Sequence, residues 1–355
     1  MALLHHMEDG SGLAFVWQDG RLDLVQPLPG GIYTELYDMS ETGVAAGTSR
    51  DVSFVQTPVT WEGGSTQALG TLPEGFASGE ALTVSDNGIY VAGYLLPETP
   101  PLPDGSLAAA FRWDATTGFT LIPFPSPVFN QAGGMSVNNS GLVVGFADAG
   151  FAWDGVDFFE LPADPRDVNN AGQVLLIVGA EVYLWQGGDL GDPLASSLNV
   201  FPTGLNDDGD VIGTGVGLAL LWYGGDYDNR VDLGDLGLSN SSFARGISNR
   251  IGGEPYVVGR SRTAEFGSNV PFIWHGGPML ELPLPPRATQ AFADDVNENG
   301  WVSGTDEPGD DGVLWRIRTT PGGGPPPGAG PPPGAGPPPG AGPPPGAGPP
   351  PGRGP

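Results

Sequence analysis

The chain repeats one short unit from end to end, and this repetition constrains its fold more than any other feature. In each unit an apolar residue leads into a tight turn rich in Asn and Asp, a Gly follows, and an alternating apolar strand ends on another Gly. A second short segment then ends on Trp. Such units recur every 32 to 52 residues, a period typical of propellers and other repeat arrays.

The tight turns number seven. Asn, Asp and Gly supply the positive φ angles and the side-chain hydrogen bonds that tight hairpins need. The turns occupy residues 39–43, 84–88, 137–141, 168–172, 205–209, 247–252 and 296–300. The strands after them end at Gly47, Gly93, Gly145, Gly179, Gly213, Gly259 and Gly304.

Eight further segments end in Trp, with an apolar residue two positions earlier. These are the segments ending at Trp17, Trp61, Trp113, Trp153, Trp185, Trp222, Trp274 and Trp315. A spacing of two puts both side chains on one face of a strand, so we expect this face to pack between neighbouring units. A last apolar segment, often Leu-Gly or Leu-Pro, follows seven of the eight.

Each unit therefore has four strands, and no segment shows sustained helical periodicity. Radially repeated four-stranded units are typical of a β-propeller. The sequence predicts an all-β, seven-bladed β-propeller of four-stranded blades over about residues 13–318, after a flexible lead at residues 1–12. A solenoid is the alternative, although four strands per unit and a variable spacing fit blades better.

The pattern apolar-Asn-x-x-Gly-x-Val-x-Gly, then Phe-x-Trp, then Leu-Gly resembles a known family. Residues 13–318 are similar to the "probable extracellular repeat, HAF family" of bacterial surface and secreted proteins. The resemblance implies a propeller-like fold and an extracellular or cell-surface setting. It implies no defined reaction and no catalytic residues. No signal peptide is visible at the start of this chain.

The strand count leaves one strand over. The turn units supply fourteen strands, the Trp segments eight and the Leu segments seven, in all 29, whereas seven four-stranded blades need 28. If the two N-terminal strands complete the last blade, residues 313–318 are surplus; otherwise the segment around Trp17 is. A surplus strand beside an open blade edge suits intermolecular strand addition. The alternatives are a fifth strand that caps the ring, or a count that is off by one.

The Pro/Gly-rich tail, residues 319–355, has its own regularity. From Pro325 the sequence Pro-Pro-Pro-Gly-Ala-Gly occurs four times, and a fifth copy carries Arg353 in place of Ala. Pro triplets impose polyproline II geometry, which at ~3.1 Å per residue extends this run to nearly 100 Å. The tail is a stiff spacer or cell-wall linker in one interpretation. In the other, its Gly faces let it pack along a neighbouring subunit.

Charge restricts the partners. The formal net charge is −28 at pH 7, and all 13 basic residues are Arg. Nucleic acid and anionic membranes both require a basic surface, so we expect neither as a partner. The chain has no Cys, which excludes disulfides and thiolate metal sites.

Catalytic chemistry has no candidate residues. None of the three His lies in a Ser/His/Asp arrangement, and the 41 acidic residues give many accidental carboxylate pairs. No cofactor is predicted. Asp226, Asp228 and Asp232 are weak candidates for calcium, because Arg230 stands where a further oxygen ligand is needed.

These features predict a non-enzymatic extracellular structural protein that assembles with itself into a filament or surface layer. The alternatives are a surface module that binds a ligand, glycan or cell wall with the tail as a stalk, and a propeller lyase or hydrolase. The assembly candidates are Val313, Leu314, Trp315, Phe15, Trp17, Pro325, Gly328 and Gly330.

Overall fold

Short antiparallel strands make up nearly all of the described chain. The computed structural model describes residues 2–6, 12–18, 21–102, 105–124, 133–179, 181–196, 200–237, 241–262, 267–307 and 312–317. The only helices among these residues are two single 3-10 turns, Tyr223–Gly225 and Tyr227–Asn229. No helix in the described ranges has the length and apolar character needed to cross a membrane.

Six sheets have four strands each, paired in chain order. We number all sheets in chain order. Sheet 2 contains β4 (Gly31–Met39), β5 (Ala45–Asp51), β6 (Gln56–Glu62) and β7 (Ser65–Ala68); sheet 3 contains β8 (Phe76–Val84), β9 (Val91–Pro97), β10 (Ala109–Asp114) and β11 (Gly118–Leu121); sheet 4 contains β12 (Gly133–Val137), β13 (Val143–Phe146), β14 (Gly150–Trp153) and β15 (Phe158–Glu160).

The next three sheets repeat this order. Sheet 5 contains β16 (Pro165–Val168), β17 (Val174–Val178), β18 (Glu181–Trp185) and β19 (Ala195–Ser196); sheet 6 contains β20 (Val200–Leu205), β21 (Val211–Gly215), β22 (Leu218–Trp222) and β23 (Arg230–Gly234); sheet 7 contains β24 (Ser242–Ile247), β25 (Val257–Arg262), β26 (Asn269–Trp274) and β27 (Leu280–Glu281). The predicted unit of four strands is confirmed in all six sheets.

The two terminal sheets have three strands each. Sheet 1 contains β1 (Ala2–His6), β2 (Gly12–Gln18) and β3 (Arg21–Leu24), and sheet 8 contains β28 (Gln290–Val296), β29 (Trp301–Glu307) and β30 (Gly312–Arg316). β2 is a Trp strand that pairs with β3 on one side and with β1 on the other. Sheet 1 therefore has the second, third and fourth strands of the unit, and sheet 8 has the first three.

Apolar clusters join each sheet to the next. One cluster, for example, packs Val144 and Leu161 of sheet 4 against Val168, Val174 and Trp185 at sheet 5. Six further clusters of this kind join the other consecutive sheets from sheet 1 to sheet 8. This radial arrangement of sheets, with their faces packed on each other, is a β-propeller.

The first strands of sheets 2 to 8 line a central channel. β4, β8, β12, β16, β20, β24 and β28 follow one another around it. Gly93 shows how closely the second strand approaches the first, because a Cβ at this position would collide with the carbonyl oxygen of Glu80 in β8. A Cβ would meet a first-strand carbonyl oxygen in the same way at Gly47, Gly145, Gly213, Gly259 and Gly304. These second strands continue past the Gly rather than ending on it as predicted. Gly179 is the exception, because it has open space beside it and a φ of 63°.

Three sequence predictions need correction. The lead at residues 1–12 is not simply flexible, because Ala2–His6 is a strand and β2 begins at Gly12. The compact unit extends over Met1–Ile317 rather than 13–318. The count of seven blades is not confirmed, because the described residues form eight sheets. The predicted tail, residues 319–355, lies outside the described residues.

The predicted ring closure is wrong as well. In one alternative the two N-terminal strands complete the last blade, but β2 and β3 pair with β1 in a separate sheet. In the other the segment around Trp17 is surplus, but this segment is β2, the central strand of that sheet. β30 is not surplus, because it is the third strand of sheet 8 and pairs with β29. The error has a simple cause: β1 has no Asn-Gly turn before it, so the repeat pattern does not mark it.

Candidate functional site: the channel mouth

The Asn residues of the repeat close the turns at one end of the channel. Asn138 Oδ1 accepts hydrogen bonds from the backbone N–H groups of Ser140 and Leu142, both at 3.0 Å. Gly141 follows with a φ of 81°, a conformation that Gly adopts without strain. The turn thus needs Asn first and Gly fourth, which is the spacing seen in the sequence.

The same Asn side chains also bind the neighbouring sheet. Asn138 Nδ2 donates to the carbonyl oxygen of Asn169 at 2.9 Å, and Asn169 Nδ2 donates to that of Asn206 at 3.0 Å. Asn206 Nδ2 then donates to the carbonyl oxygen of Ser248 at 2.9 Å. Asn138, Asn169 and Asn206 are buried. We call these three side chains and their bonds the belt.

A second row of bonds reinforces the belt. The backbone N–H of Asn139 donates to Asn170 Oδ1, that of Asn170 to Asp207 Oδ1, and that of Asp207 to Asn249 Oδ1, all at 2.8 Å. The residue after each turn Asn therefore binds its counterpart in the next sheet. From sheet 4 to sheet 7, hydrogen bonds between successive turns therefore join the wall around the mouth.

The junction between sheets 8 and 1 is built differently, and we call it the seam. Trp17 of β2 and Trp301 of β29 lie against each other, with ring centroids 4.0 Å apart and planes at 51°. The Arg316 guanidinium lies 4.8 Å from the Trp301 ring centroid. No apolar cluster among the described residues joins these two sheets. Aromatic contacts therefore replace the core that joins the other sheets.

The seam also lacks an innermost strand among the described residues. β1 takes the second position of sheet 1, since it pairs with the Trp strand β2 as β5 pairs with β6. Consecutive innermost strands pack on each other from β4 to β28, but β28 and β4 do not pack on each other in this way. In the other sheets an innermost strand covers the equivalent positions. At the seam, Trp17, Trp301 and Arg316 consequently line the channel.

A bulge precedes the turn in every innermost strand. There the register with the second strand shifts by one residue, and a bulge re-aims the side chain next to it. The residues just after the bulge are short: Asp38, Thr83, Ser136, Asp167, Gly204, Gly246 and Asp295.

Two of these carboxylates join neighbouring innermost strands. Asp38 Oδ2 accepts from the hydroxyl of Thr83 and the N–H of Val84, both at 2.9 Å. Asp167 accepts from the Ser136 hydroxyl at 3.2 Å and from the Leu205 N–H at 3.3 Å. Burial in the channel wall raises the pKa of Asp167 to about 7.

Asp295 occupies the same position at the seam, where no further innermost strand follows among the described residues. Its carboxylate accepts from the N–H of Val296 in its own turn, and its depth within the molecule raises its pKa to about 6. The side chain faces the open channel. Asp295 therefore lacks the contact to a following strand that Asp38 and Asp167 make.

The rim of the mouth carries four carboxylates: Glu41, Asp86, Asp207 and Glu298. Partial burial, together with the charges of Glu298 and Asp86, raises the pKa of Glu41 to about 7. Asn170 Nδ2 donates to both Asp86 and Asp207, at 2.7 and 2.8 Å. None of the ion pairs between described residues involves these four carboxylates. The mouth is thus an open, negatively charged cavity.

This cavity has a volume of about 1250 Å³. Residues of all seven turns contribute to its wall, and Trp17 and Trp301 supply aromatic surface at the seam. Tyr37 lines the cavity elsewhere, with its hydroxyl donating to Glu35. It combines flat aromatic faces with carboxylates that form no ion pair with a described residue, so the cavity can stack on rings or prolines and attract a cation.

The sequence-predicted assembly residues fall in different places. Trp17 lies at the seam, next to the partly buried Phe15. Trp315 is buried, and its indole N–H donates to the carbonyl oxygen of Pro283 at 2.8 Å. Val313 and Leu314 are partly buried in β30. The remaining candidates, Pro325, Gly328 and Gly330, lie outside the described residues.

The calcium candidates are not assembled into a site. Asp226 accepts from the N–H of Asp228 at 3.0 Å, as the cap of a 3-10 turn. Asp232 forms an ion pair with Arg230, with Nε and Oδ1 3.4 Å apart. Nowhere in the described ranges do three or more His or acidic side chains form a group suited to a metal ion.

Sequence reasoning missed Trp301, Arg316 and the rim carboxylates. A signal for Trp301 was present: the chain has nine Trp, and Trp301 is the one that does not end a Trp segment. It directly follows Gly300 of the seventh turn. The rim carboxylates carry no such signal, because nothing in the sequence distinguishes them from the other acidic residues of the chain.

Comparisons with known proteins bear on the fold alone. No protein-family model matches the chain, and no curated protein does either. The chain is similar to the β-propeller domain of Cps50 (Swd1) from Myceliophteria thermophila, at 14% identity over 80% of this chain and 97% of that chain, with a TM-score of 0.47.

Two other solved structures are similar at 13% identity, each with a TM-score of 0.48. YCF48 bound to D1 peptide matches over 83% of this chain and 96% of its own. The β-propeller domain of the Trilobed protease from Pyrococcus furiosus, described as having an open velcro topology, matches over 80% and 93%.

Proposed function

We propose that this protein is a non-enzymatic structural protein of the cell surface or extracellular space, and that it assembles with itself into a filament or surface layer. The observation that carries the proposal is the incomplete outer edge of sheet 8. β30 pairs with β29 alone among the described residues, whereas six sheets have a fourth strand at this position.

An unpaired strand edge is a template for another chain. The edge of β30 lies inside the outer rim by the width of one strand, about 4.8 Å, so an added strand would complete sheet 8. We expect the added strand to come from another part of the partner molecule than this edge, which makes the contact head-to-tail. Such a head-to-tail contact, if it does not close into a ring, generates a filament.

The charge and the tail agree with this function. A net charge of −28 keeps free subunits apart at low ionic strength, and salt screens this repulsion. The extracellular setting rests on the resemblance to the surface-protein repeat family. The tail, at nearly 100 Å if fully extended, gives each subunit a long connecting element.

Electron microscopy and light scattering of the full-length protein test the proposal. We expect polymers that grow with protein concentration and with salt. The Leu314→Lys variant places a charge on the open edge of β30 and should reduce assembly, whereas Leu22→Lys on the outer strand β3 should leave it unchanged. A protein that remains strictly monomeric at high concentration and moderate salt contradicts the proposal.

A second candidate function is binding of glycans by the channel mouth, with the tail as a stalk. Trp17, Trp301 and Tyr37 line a large cavity beside carboxylates, and aromatic faces with polar neighbours suit sugar rings. A glycan array with the wild-type protein and the Trp301→Leu variant separates the two functions. Clear hits that disappear in the variant, without polymers, would favour this candidate.

A further inference from the structure

We infer that the channel mouth at the seam receives the C-terminal polyproline segment of a second copy of this chain, with Arg353 against the rim carboxylates. This inference rests on the proposed self-assembly and adds to it a contact that is separate from the edge of β30.

The seam offers the surface that a polyproline helix prefers. Pro-rich segments dock on grooves lined by aromatic side chains, and their extended conformation is already formed before binding. Trp17 and Trp301 form such a surface in the wall of the cavity. Pro has no N–H group, so a Pro-rich segment is suited to stacking on rings rather than to completing a β-ladder.

Charge gives the segment its direction. Arg353 is the only charged side chain in residues 321–355, and it replaces the Ala of the four earlier repeats. The rim carries Glu41, Asp86, Asp207 and Glu298, and none of them forms an ion pair with a described residue. A guanidinium among these carboxylates is favoured electrostatically, which places the fifth repeat rather than an earlier one at the rim.

The length of the segment favours a second copy. The described chain ends beside the mouth, where the N–H of Ile317 donates to the carbonyl oxygen of Gly300 at 2.8 Å. A Pro-rich run is a semi-rigid spacer, and more than 30 residues lie between Ile317 and Arg353. We therefore expect Arg353 to reach the mouth of another copy, at a spacing between copies of up to about 100 Å.

Disulfide trapping tests the contact directly, because the natural chain has no Cys. Full-length Arg353→Cys protein is mixed with full-length Glu298→Cys protein under mild oxidation. We expect a mixed disulfide dimer in at least tenfold excess over the control. The matched control replaces Glu298→Cys with Val156→Cys, which is 84% exposed and does not line the cavity.

Equal trapping with Glu298→Cys and Val156→Cys would overturn the inference. A single chain carrying both Arg353→Cys and Glu298→Cys distinguishes the two sources of the tail. Cross-linked dimers and higher species support a second copy. A cross-linked monomer that persists on dilution would show that the chain's own tail fills the mouth, and would overturn the inference.

Calorimetric titration gives a second, independent readout. The receptor is the full-length Arg353→Glu protein, whose own tail should not compete, and the probe is a synthetic peptide of residues 337–355. We expect binding that weakens with salt, and about tenfold weaker binding of the same peptide with the Arg353→Ala change. Adding Trp301→Leu to the receptor should abolish binding. A peptide that does not bind, or that binds equally well in all of these combinations, contradicts the inference.

The two proposals can fail separately. Polymers without Arg353–Glu298 trapping would leave self-assembly standing and overturn this interface. A strictly monomeric wild-type protein would overturn self-assembly, and the peptide titration would still decide whether the mouth recognises the tail sequence.

Discussion

The belt and the seam close the same channel with different chemistry. In the belt, the buried Asn side chains of three successive turns bind the backbone of the next sheet, and apolar clusters fill the space behind them. At the seam, a Trp pair and an arginine stand where the belt and the cluster would be. Repeated units thus form a continuous wall where their turns bind one another, and the seam between sheets 8 and 1 leaves an accessible aromatic site.

The largest expected effect comes from breaking the belt. In Asn169→Ala, the carbonyl of Asn206 and the N–H of Gln173 lose a buried partner. We expect a loss of about 3 kcal/mol in the free energy of unfolding, measured by urea denaturation. The matched variant is Asn297→Ala, because the hydrogen bonds of Asn297 stay within its own turn. It should cost about 1 kcal/mol; equal losses would mean that the bonds between turns contribute nothing.

The seam should respond less to the loss of an aromatic ring. Trp301→Leu removes the stack with Trp17 and the contact with Arg316. Because Trp301 is only partly buried, we expect a loss of about 1–2 kcal/mol, measured by thermal unfolding. A loss as large as that of Asn169→Ala would show that the seam is a second core rather than an open site.

Asp38 and Asp295 form a matched pair, because they occupy equivalent positions in the channel and only Asp38 contacts a following innermost strand. Asp38→Asn places an amide NH₂ group against the donors of Thr83 and Val84 or Met39, so we expect a cost of about 1.5 kcal/mol. Asp295→Asn loses no bond to a following strand and should change stability by less than about 0.5 kcal/mol. Calorimetry of both variants decides this, and the reverse order would contradict the assignment of Asp295 to the seam.

The smallest effect is that of pH. The pKa values of Glu41 and Asp167 are raised to about 7, so the folded protein binds more protons than the unfolded chain between about pH 4 and pH 7. Stability therefore falls as the pH rises through this window. The melting temperature should be higher at pH 5 than at pH 8, by a few degrees at most.

The pH profile should turn over at lower pH. Hydrogen bonds from the N–H groups of Asp157 and Val156 lower the pKa of Asp154. Carboxylates of this kind stabilise the fold above their pKa and lose that contribution as the pH falls further. A melting temperature that rises steadily from pH 5 to pH 8 would contradict the raised pKa values in the channel.

The repeat predicted the sheets well because each turn, strand and Trp segment is defined by local spacing. The seven Asn-Gly turns and the eight Trp strands are all present where the sequence places them. β1 escaped prediction because it has no turn before it, and its pairing with β2 is a contact that spacing does not encode. The closure of the ring was wrong for the same reason, since it depends on which edges meet.

The candidate site was only partly predictable. Trp17 was singled out as a surplus aromatic, but its partner Trp301 is 284 positions away in the sequence and joins it only through closure of the ring. The rim is similar, because Glu41 and Glu298 belong to turns at opposite ends of the chain. Their carboxylates meet, and the pKa of Glu41 rises, only when sheet 2 and sheet 8 come together.

The sequence by itself determined the unit. Asn and Gly at fixed positions of the turns, apolar residues alternating along the strands, and Trp at the strand ends specify an antiparallel sheet that must pack against another sheet. The tertiary structure alone decided how the chain of units ends. Its first sheet has no innermost strand in the described residues and its last has no outermost strand, and their meeting exposes Trp17 and Trp301. Local patterns set local geometry, whereas the closing of a ring depends on the sum of all sheet-to-sheet angles.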